Sequence, residues 1–312
     1  MERYSSRDKA IASSFIIVPI IFVIIGLVFY PFRYPGTETI LEETTSIFLF
    51  LSLFLLLIGF LIRKEELGNK IKILGWAIFA FFWSTQINTL YFGEEGDFIN
   101  AFLCVAGIFL LFFIAYQEWI SLKTKKQIGC LNWAAGVAAI AGIIYFGIEL
   151  TPLEMWLREV VAGQSAWLLN IFTGNVHYEG VYIGWEQARV TIIFACTGVQ
   201  SMVIFVGMIL PLKNVNAKKK LYGLLVTVVP VYFLNLVRNA LVVYLTGVYG
   251  PEFFPTAHNI IGKGGSLVAL IILLVIVIKV IPEVFDEILG LTDLYKGDGP
   301  LEQSFKKIWG KK

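Results

Sequence analysis

Charged side chains are scarce in this chain. Asp, Glu, Lys and Arg make up 15% of its 312 residues, whereas hydrophobic residues make up 57%; an average soluble domain has about 25% charged residues. The mean hydropathy is +0.76. A soluble globule has no interior large enough to bury this apolar surface, so the composition excludes a soluble fold and predicts a membrane protein.

A strong net charge is also missing. The formal net charge is +2 at pH 7, which is too small to argue for a nucleic-acid partner. The charged residues lie in short clusters between apolar runs, so their placement is more informative than their sum. We therefore expect no nucleic acid among the partners of this protein.

Cysteine and histidine are too few for a disulfide framework or a metal centre. The chain has three cysteines and two histidines, and the cysteines have neither paired spacing nor a CxxC motif. His177 has no second ligand at metal spacing. The sequence therefore predicts no metal site and no cofactor.

Long apolar runs are abundant. A helix needs about 20 residues to cross the roughly 30 Å hydrocarbon core of a bilayer, and helices are expected because an unpaired backbone group in lipid costs several kcal/mol. We predict an all-α polytopic membrane protein with about eight transmembrane helices. The predicted spans lie near residues 11–32, 44–62, 72–91, 98–117, 130–150, 196–212, 221–246 and 259–281.

Lys and Arg collect at alternate ends of these spans. Short cytoplasmic loops carry the excess of Lys and Arg in multi-pass proteins, so both termini are expected in the cytoplasm. Arg33 is the main basic residue that opposes this assignment. The basic clusters are Arg3, Arg7 and Lys9; Arg63, Lys64, Lys70 and Lys72; Lys123, Lys125 and Lys126; Lys213, Lys218, Lys219 and Lys220; and Lys306, Lys307, Lys311 and Lys312.

One segment on the predicted outer side, residues 151–195, is rich in Trp and Tyr, which are typical of the membrane interface. Apolar residues recur at helical spacing from Leu153 to Val161, which favours an amphipathic helix lying on the outer leaflet. From Val181 to Phe194, β-branched residues favour a short hairpin. We therefore expect an amphipathic re-entry segment before the sixth span.

These features divide the chain into three regions. Residues 1–129 are expected to form an N-terminal region of four membrane helices. Residues 130–281 are expected to form a catalytic membrane core, which includes the outer segment. Residues 282–312 are expected to form a cytoplasmic tail.

Three polar residues stand out in the core. Arg238 lies inside the seventh span between apolar residues, where an arginine costs about 2.5–3.5 kcal/mol to insert and therefore suggests a partner or a function. Cys196 begins the sixth span and His258 begins the eighth. The charge-based orientation places all three toward the outer side of the membrane, although none of them was used to assign it.

These residue types suit acyl transfer. A thiol attacks as a thiolate that a histidine or a nearby positive charge activates, and an arginine can stabilise the oxyanion that develops. Each residue alone has a simpler explanation, namely a packing cysteine, a polar surface histidine or a structural ion pair. Their joint placement favours a catalytic centre. Polar residues expected to support it are Gln200, one helical turn after Cys196 and expected to line the same cavity, and Asn235, Asn239 and Asn259, which are expected to hydrogen-bond to Arg238 or His258.

At these positions the chain resembles the exosortase and archaeosortase family of membrane cysteine transpeptidases, and most resembles its archaeosortase A branch. Ala195-Cys196-Thr197-Gly198 is similar to the nucleophile block of the family. The block from Asn235 to Arg238 is similar to the one that ends in the catalytic arginine, and His258 matches the third position. The resemblance implies Cys196 as nucleophile, Arg238 as oxyanion stabiliser and His258 as general acid and base.

The same resemblance implies the substrates. It implies surface-protein precursors whose C-terminal sorting signal, a motif followed by a transmembrane helix and a basic tail, is removed at the outer face of the cell membrane. A membrane lipid is a possible acceptor of the new C-terminus. A purely hydrolytic membrane protease is an alternative, and so is a transporter with Arg238 in its substrate pathway.

Overall fold

The computed structural model describes residues 4–29, 40–62, 64–92, 98–126 and 128–303, with only the backbone described at residues 29 and 40–44. Several of the charges used for the predicted orientation lie outside the described residues. They are Arg3, Arg33, Arg63, Lys306, Lys307, Lys311 and Lys312.

Helices dominate the described part of the chain, and the all-α polytopic membrane fold predicted from the apolar runs is confirmed. Inside a bilayer a helix pairs its backbone groups within one segment, which is why apolar runs of this length become helices. The helices are α1 (Ser6–Phe29), α2 (Ile40–Leu61), α3 (Glu65–Phe92), α4 (Phe98–Thr124), α5 (Gly129–Glu149), α6 (Leu153–Thr173), α7 (Val199–Ile209), α8 (Ala217–Tyr249), α9 (Gly264–Val280) and α10 (Pro282–Thr292).

Six stretches of the described residues are long and apolar enough to cross a membrane. The apolar part of α2, Thr45–Leu61, and the helix α7 are shorter. α7 has 11 residues, about 16 Å at 1.5 Å per residue, whereas the sequence predicted a full span there. The six stretches are Ser6–Val28, Glu65–Phe92, Phe98–Thr124, Gly129–Glu149, Ala217–Tyr249 and Pro251–Val280.

Two compact units divide the chain. In the first, residues 1–139 and 287–312, α3 packs against α1, α2 and α4, and the buried Lys72 and Glu118 form an ion pair of 2.9 Å. The end of the described chain returns to α4, where the carboxylate of Glu302 accepts a hydrogen bond of 2.6 Å from the hydroxyl of Tyr116.

The second unit, residues 140–286, contains the outer segment. The amphipathic helix predicted from Leu153 onward is α6. The predicted hairpin is present as part of a three-stranded antiparallel sheet in the order β1-β2-β3, formed by His177–Glu179, Tyr182–Trp185 and Ala188–Thr191.

This sheet and α6 pack against α8 through a shared apolar cluster. Ile183 and Val190 from the sheet meet Val243 of α8 in this cluster, and the rings of Trp185 and Tyr244 stack at 5.3 Å. The sheet therefore lies beside the half of α8 that contains Arg238.

Candidate catalytic site

Cys196 lies in a tight turn directly before α7. Residues Phe194–Thr197 form a 3₁₀ turn, in which the backbone N–H of Cys196 donates to the carbonyl oxygen of Ile193 at 2.8 Å. Gly198 follows with φ of 78°, a left-handed conformation that favours glycine. Cys196 is 5% exposed and packs in the apolar cluster between α6, the sheet and α8. The turn, rather than a helix, therefore sets the direction of the thiol.

Two asparagines of α8 bind the backbone of Cys196. The side-chain amides of Asn235 and Asn239 donate to the carbonyl oxygen of Cys196 at 2.7 and 2.9 Å. They lie four residues apart and so share one helix face. The sequence predicted that they would hydrogen-bond to Arg238 or His258; their hydrogen bonds instead go to the cysteine turn, because the fold brings that turn onto the same face of α8.

Gly198 makes this contact possible. A Cβ atom at this position would lie 3.0 Å from Cγ and 3.1 Å from Cβ of Asn235. Glycine is therefore required twice here, once for its backbone conformation and once for the close approach of α8.

Arg238 lines a cavity of about 180 Å³ between α8 and the start of α9. Asn235 and Gly198 line the same cavity, as does Gly262 from the other side. In the part of the chain that the structure describes, the half-buried guanidinium has no hydrogen-bond or ion-pair partner, and its Nε atom is fully buried. The cavity therefore presents an unpaired cation beside the segment that follows Cys196.

His258 lies in an irregular helical stretch. Residues Thr256–Lys263 form a π-helix between Pro255 and α9, a conformation that is frequent at functional sites. The imidazole is half-buried and stacks on the ring of Phe254 at 5.3 Å. Arg238 and Lys263 are positively charged neighbours of the imidazole.

The predicted residues are thus only partly brought together. Arg238 and Asn235 both line the cavity. Cys196 and His258 are not among the lining residues, although each lies only a few positions before one of them in the sequence. Gln200 and Asn259 are exposed.

Arg158 is a neighbour of the site that sequence reasoning missed. Its Nε donates to the carbonyl oxygen of Ile192 at 2.7 Å, and its Nη1 pairs with a carboxylate oxygen of Glu154 at 3.1 Å. Arg158 thereby joins α6 to the chain just before the cysteine turn. The sequence contains no signal for this contact, because the acceptor is a backbone oxygen distant along the chain.

Comparisons with known proteins relate the chain to one membrane family. A family model described as transmembrane exosortase matches residues 41–275, a range that includes Cys196, Arg238 and His258. Archaeosortase A of Haloferax volcanii is 25% identical over an alignment of 275 residues, which covers 76% of this chain and 88% of that protein. No solved structure matches the chain significantly.

Proposed function

Because the chain belongs to the transmembrane exosortase family, whose members process surface-protein precursors with C-terminal sorting signals in the membrane, we propose that it is a cysteine transpeptidase of such precursors. The observation that carries this proposal is the unpaired guanidinium of Arg238 in a cavity beside the cysteine turn. An arginine without an internal partner in a membrane helix is a strong indication of a ligand.

The proposed reaction has two steps. His258 takes the proton of the Cys196 thiol, and the thiolate attacks the scissile carbonyl carbon while Arg238 binds the developing oxyanion. The carbon–nitrogen bond breaks, the leaving amine takes the proton from His258, and a thioester with Cys196 remains. An amine or hydroxyl, including one on a lipid headgroup, then attacks the thioester and restores the thiol.

The proposed orientation follows the charge pattern of the sequence. Both termini lie in the cytoplasm, and the cysteine turn, Arg238 and His258 face the outer side. The apolar runs and the family support a multi-pass membrane protein, and an outward site suits precursors whose bulk has already crossed the membrane.

Replacing the nucleophile tests the proposal. Cys196→Ala and Cys196→Ser, each expressed with a precursor that carries a sorting signal, should leave that precursor at full length on an immunoblot. Cys104→Ala is the matched control, because Cys104 is another buried cysteine that lies in the other unit, and it should process normally. Normal processing by both Cys196 variants would refute the assignment of Cys196 as the nucleophile.

The oxyanion role of Arg238 has its own test. Arg238→Lys keeps the charge but loses the planar set of donors, so processing should fall by at least about 100-fold, the loss typical for a missing oxyanion donor. Full activity in this variant would remove the argument for guanidinium binding.

Mass spectrometry of the product separates transfer from hydrolysis: an adduct on the new C-terminus supports a transpeptidase, and a free carboxylate indicates a protease.

A further inference from the structure

Ile192 lies at the point where the chain leaves the sheet and enters the cysteine turn. It directly follows β3, and the turn Phe194–Thr197 begins two residues later. Its backbone N–H donates to the carbonyl oxygen of Val181 at 2.8 Å, so Ile192 still pairs with the chain beside β3. The position of Ile192 therefore determines where the turn, and with it Cys196, begins.

Arg158 binds the carbonyl oxygen of this residue. In a regular antiparallel pair the two residues exchange two hydrogen bonds, so the second would run from the N–H of Val181 to the oxygen of Ile192. That oxygen accepts from Nε of Arg158 at 2.7 Å, and a hydrogen bond from a charged donor is stronger than one between neutral groups. Arg158 therefore holds the chain at the point where regular strand pairing ends.

The guanidinium of Arg158 is itself held in place. Its Nη1 lies 3.1 Å from a carboxylate oxygen of Glu154, which is one helical turn earlier on α6. The side chains of Arg158 and Glu154 are 17% and 20% exposed, so salt screens this pair less than a fully exposed one. α6 also contributes Val161 and Ala162 to the apolar cluster that contains Cys196. The helix and its ion pair therefore form a fixed support beside the turn.

The cysteine turn is thus held from two helices. Arg158 of α6 binds the backbone before the turn, and Asn235 and Asn239 of α8 bind the carbonyl oxygen of Cys196 within it. We propose that Arg158 is a positioning residue for the nucleophile, which acts through the backbone of Ile192 and does not touch the substrate. Displacing a reacting group by about 1 Å can cost roughly 100-fold in rate, so loss of this contact should slow the reaction. This inference rests on the proposed function and adds a residue that supports the nucleophile.

Removing the guanidinium tests the inference. Arg158→Met keeps a long apolar side chain without a donor, so kcat for precursor processing should fall at least 10-fold while KM stays within two-fold. Arg158→Lys keeps one charged donor and should be at least three-fold faster than Arg158→Met. Arg189→Met is the matched control, because Arg189 is an exposed arginine of β3 in the same unit; its kcat should stay within two-fold of the unchanged protein. A normal kcat in Arg158→Met, or a loss carried entirely by KM, would overturn the positioning role.

The reactivity of the thiol gives a readout that does not depend on processing. The chain has three cysteines, so replacing Cys104 and Cys130 by alanine leaves Cys196 as the target of N-ethylmaleimide, and mass spectrometry follows its alkylation in detergent. Because Cys196 is 5% exposed, releasing the turn by Arg158→Met should speed alkylation at least three-fold. Arg189→Met should leave the alkylation rate unchanged.

Thermal unfolding of each variant in detergent sets the temperature of this assay, which is kept below every melting temperature so that global unfolding does not expose the thiol. Arg158→Lys is the milder change and should show both effects in smaller size. Unchanged alkylation in Arg158→Met, or a folded Arg158→Lys protein with normal kcat and normal alkylation, would overturn the inference. Either result leaves Cys196 as nucleophile untouched, whereas processing by Cys196→Ala would refute the proposed function itself.

Discussion

The carbonyl oxygen of Cys196 accepts hydrogen bonds from both Asn235 and Asn239. Each bond contributes about 1 kcal/mol net, and together they fix the peptide that follows the thiol. Because both amide groups donate to this oxygen, they hold the cysteine turn against α8. The asparagines are therefore expected to position the nucleophile.

This arrangement predicts coupling between the two asparagines. Asn235→Ala and Asn239→Ala should each slow precursor processing about 5-fold, which corresponds to roughly 1 kcal/mol. The double variant should be slower than the product of the two single effects, because it leaves the buried carbonyl without either donor. Initial processing rates of the three variants provide the double-mutant cycle; strictly multiplicative effects would show that the two amides act independently.

Gly198 gives a second prediction at the residue scale. Gly198→Ala combines a left-handed backbone conformation, which costs about 1–2 kcal/mol for other residues, with the contact of 3.0 Å to Asn235. We expect it to abolish most processing. Gly147→Ala is a suitable control, since a Cβ atom there meets nothing within 4 Å and alanine favours a helix. A Gly198→Ala variant as active as this control would contradict the described turn.

The sequence alone suggested candidate site residues, but it did not reveal their hydrogen-bond partners. A charge inside an apolar run is visible in the sequence, so Arg238 could be identified as a candidate. The acceptors of Asn235, Asn239 and Arg158 are backbone oxygens brought close by the fold. No residue pattern along the chain marks such an acceptor, so these contacts could not be predicted.

At the scale of elements, apolar runs predicted the helices well and their ends poorly. α7 is short because Gly198 precedes it in a left-handed conformation and Pro211 follows it closely. β1 gave no signal because all three of its residues, His177–Glu179, are exposed, so that no alternation of buried and exposed positions marks the strand. The π-helix around His258 was likewise not predicted.

The start of α8 is joined to α10 by an ion pair with a defined pH dependence. The Lys219 ammonium lies 2.9 and 2.8 Å from the two carboxylate oxygens of Glu283, and this hydrogen bonding lowers the pKa of Glu283 below its ordinary value of 4.5. A lowered pKa in the folded state stabilises the protein above pH 4.5, and the contribution is lost as the pH falls through the folded value.

Glu283→Gln should therefore have a small effect that depends on pH. The side chains of Lys219 and Glu283 are 34% and 37% exposed, so the pair contributes about 0.2–1 kcal/mol after solvent screening. We expect a melting temperature lower by no more than about 2 °C at pH 7, and a difference that shrinks as the pH falls below 4.5 and through the lowered pKa of Glu283. Thermal unfolding of the purified variant at pH 7 and at a series of lower pH values checks this; a difference that grows on acidification would contradict it.

At the scale of the whole molecule, the first unit contains a buried ion pair within its membrane helices. Lys72 and Glu118 are 4% and 1% exposed in their side chains, and Lys72 also lies 3.5 Å from Oδ1 of Asn132 on α5. The contact joins α3, α4 and α5. Among the residues that the structure describes, Arg238 in the second unit has no such partner, and this contrast separates a structural ion pair from a candidate catalytic cation.

This contrast predicts that breaking the ion pair reduces stability, whereas replacing Arg238 reduces activity. Glu118→Leu leaves a buried, unpaired ammonium and should destabilise the protein by about 3–5 kcal/mol, whereas Lys72→Met combined with Glu118→Leu should recover most of that loss. Thermal unfolding in detergent measures both. Arg238→Met should instead keep its stability and lose processing. A double variant as unstable as Glu118→Leu alone would argue against the ion pair.

The central claim is that Cys196 forms a thioester with the precursor. The most direct measurement quenches the protein with acid during processing, digests it and maps adducts by mass spectrometry. We predict the new C-terminal peptide of the precursor on Cys196, released by hydroxylamine and missing from Cys196→Ser. An adduct on another residue, or processed precursor made by the Cys196→Ser protein, would contradict the account.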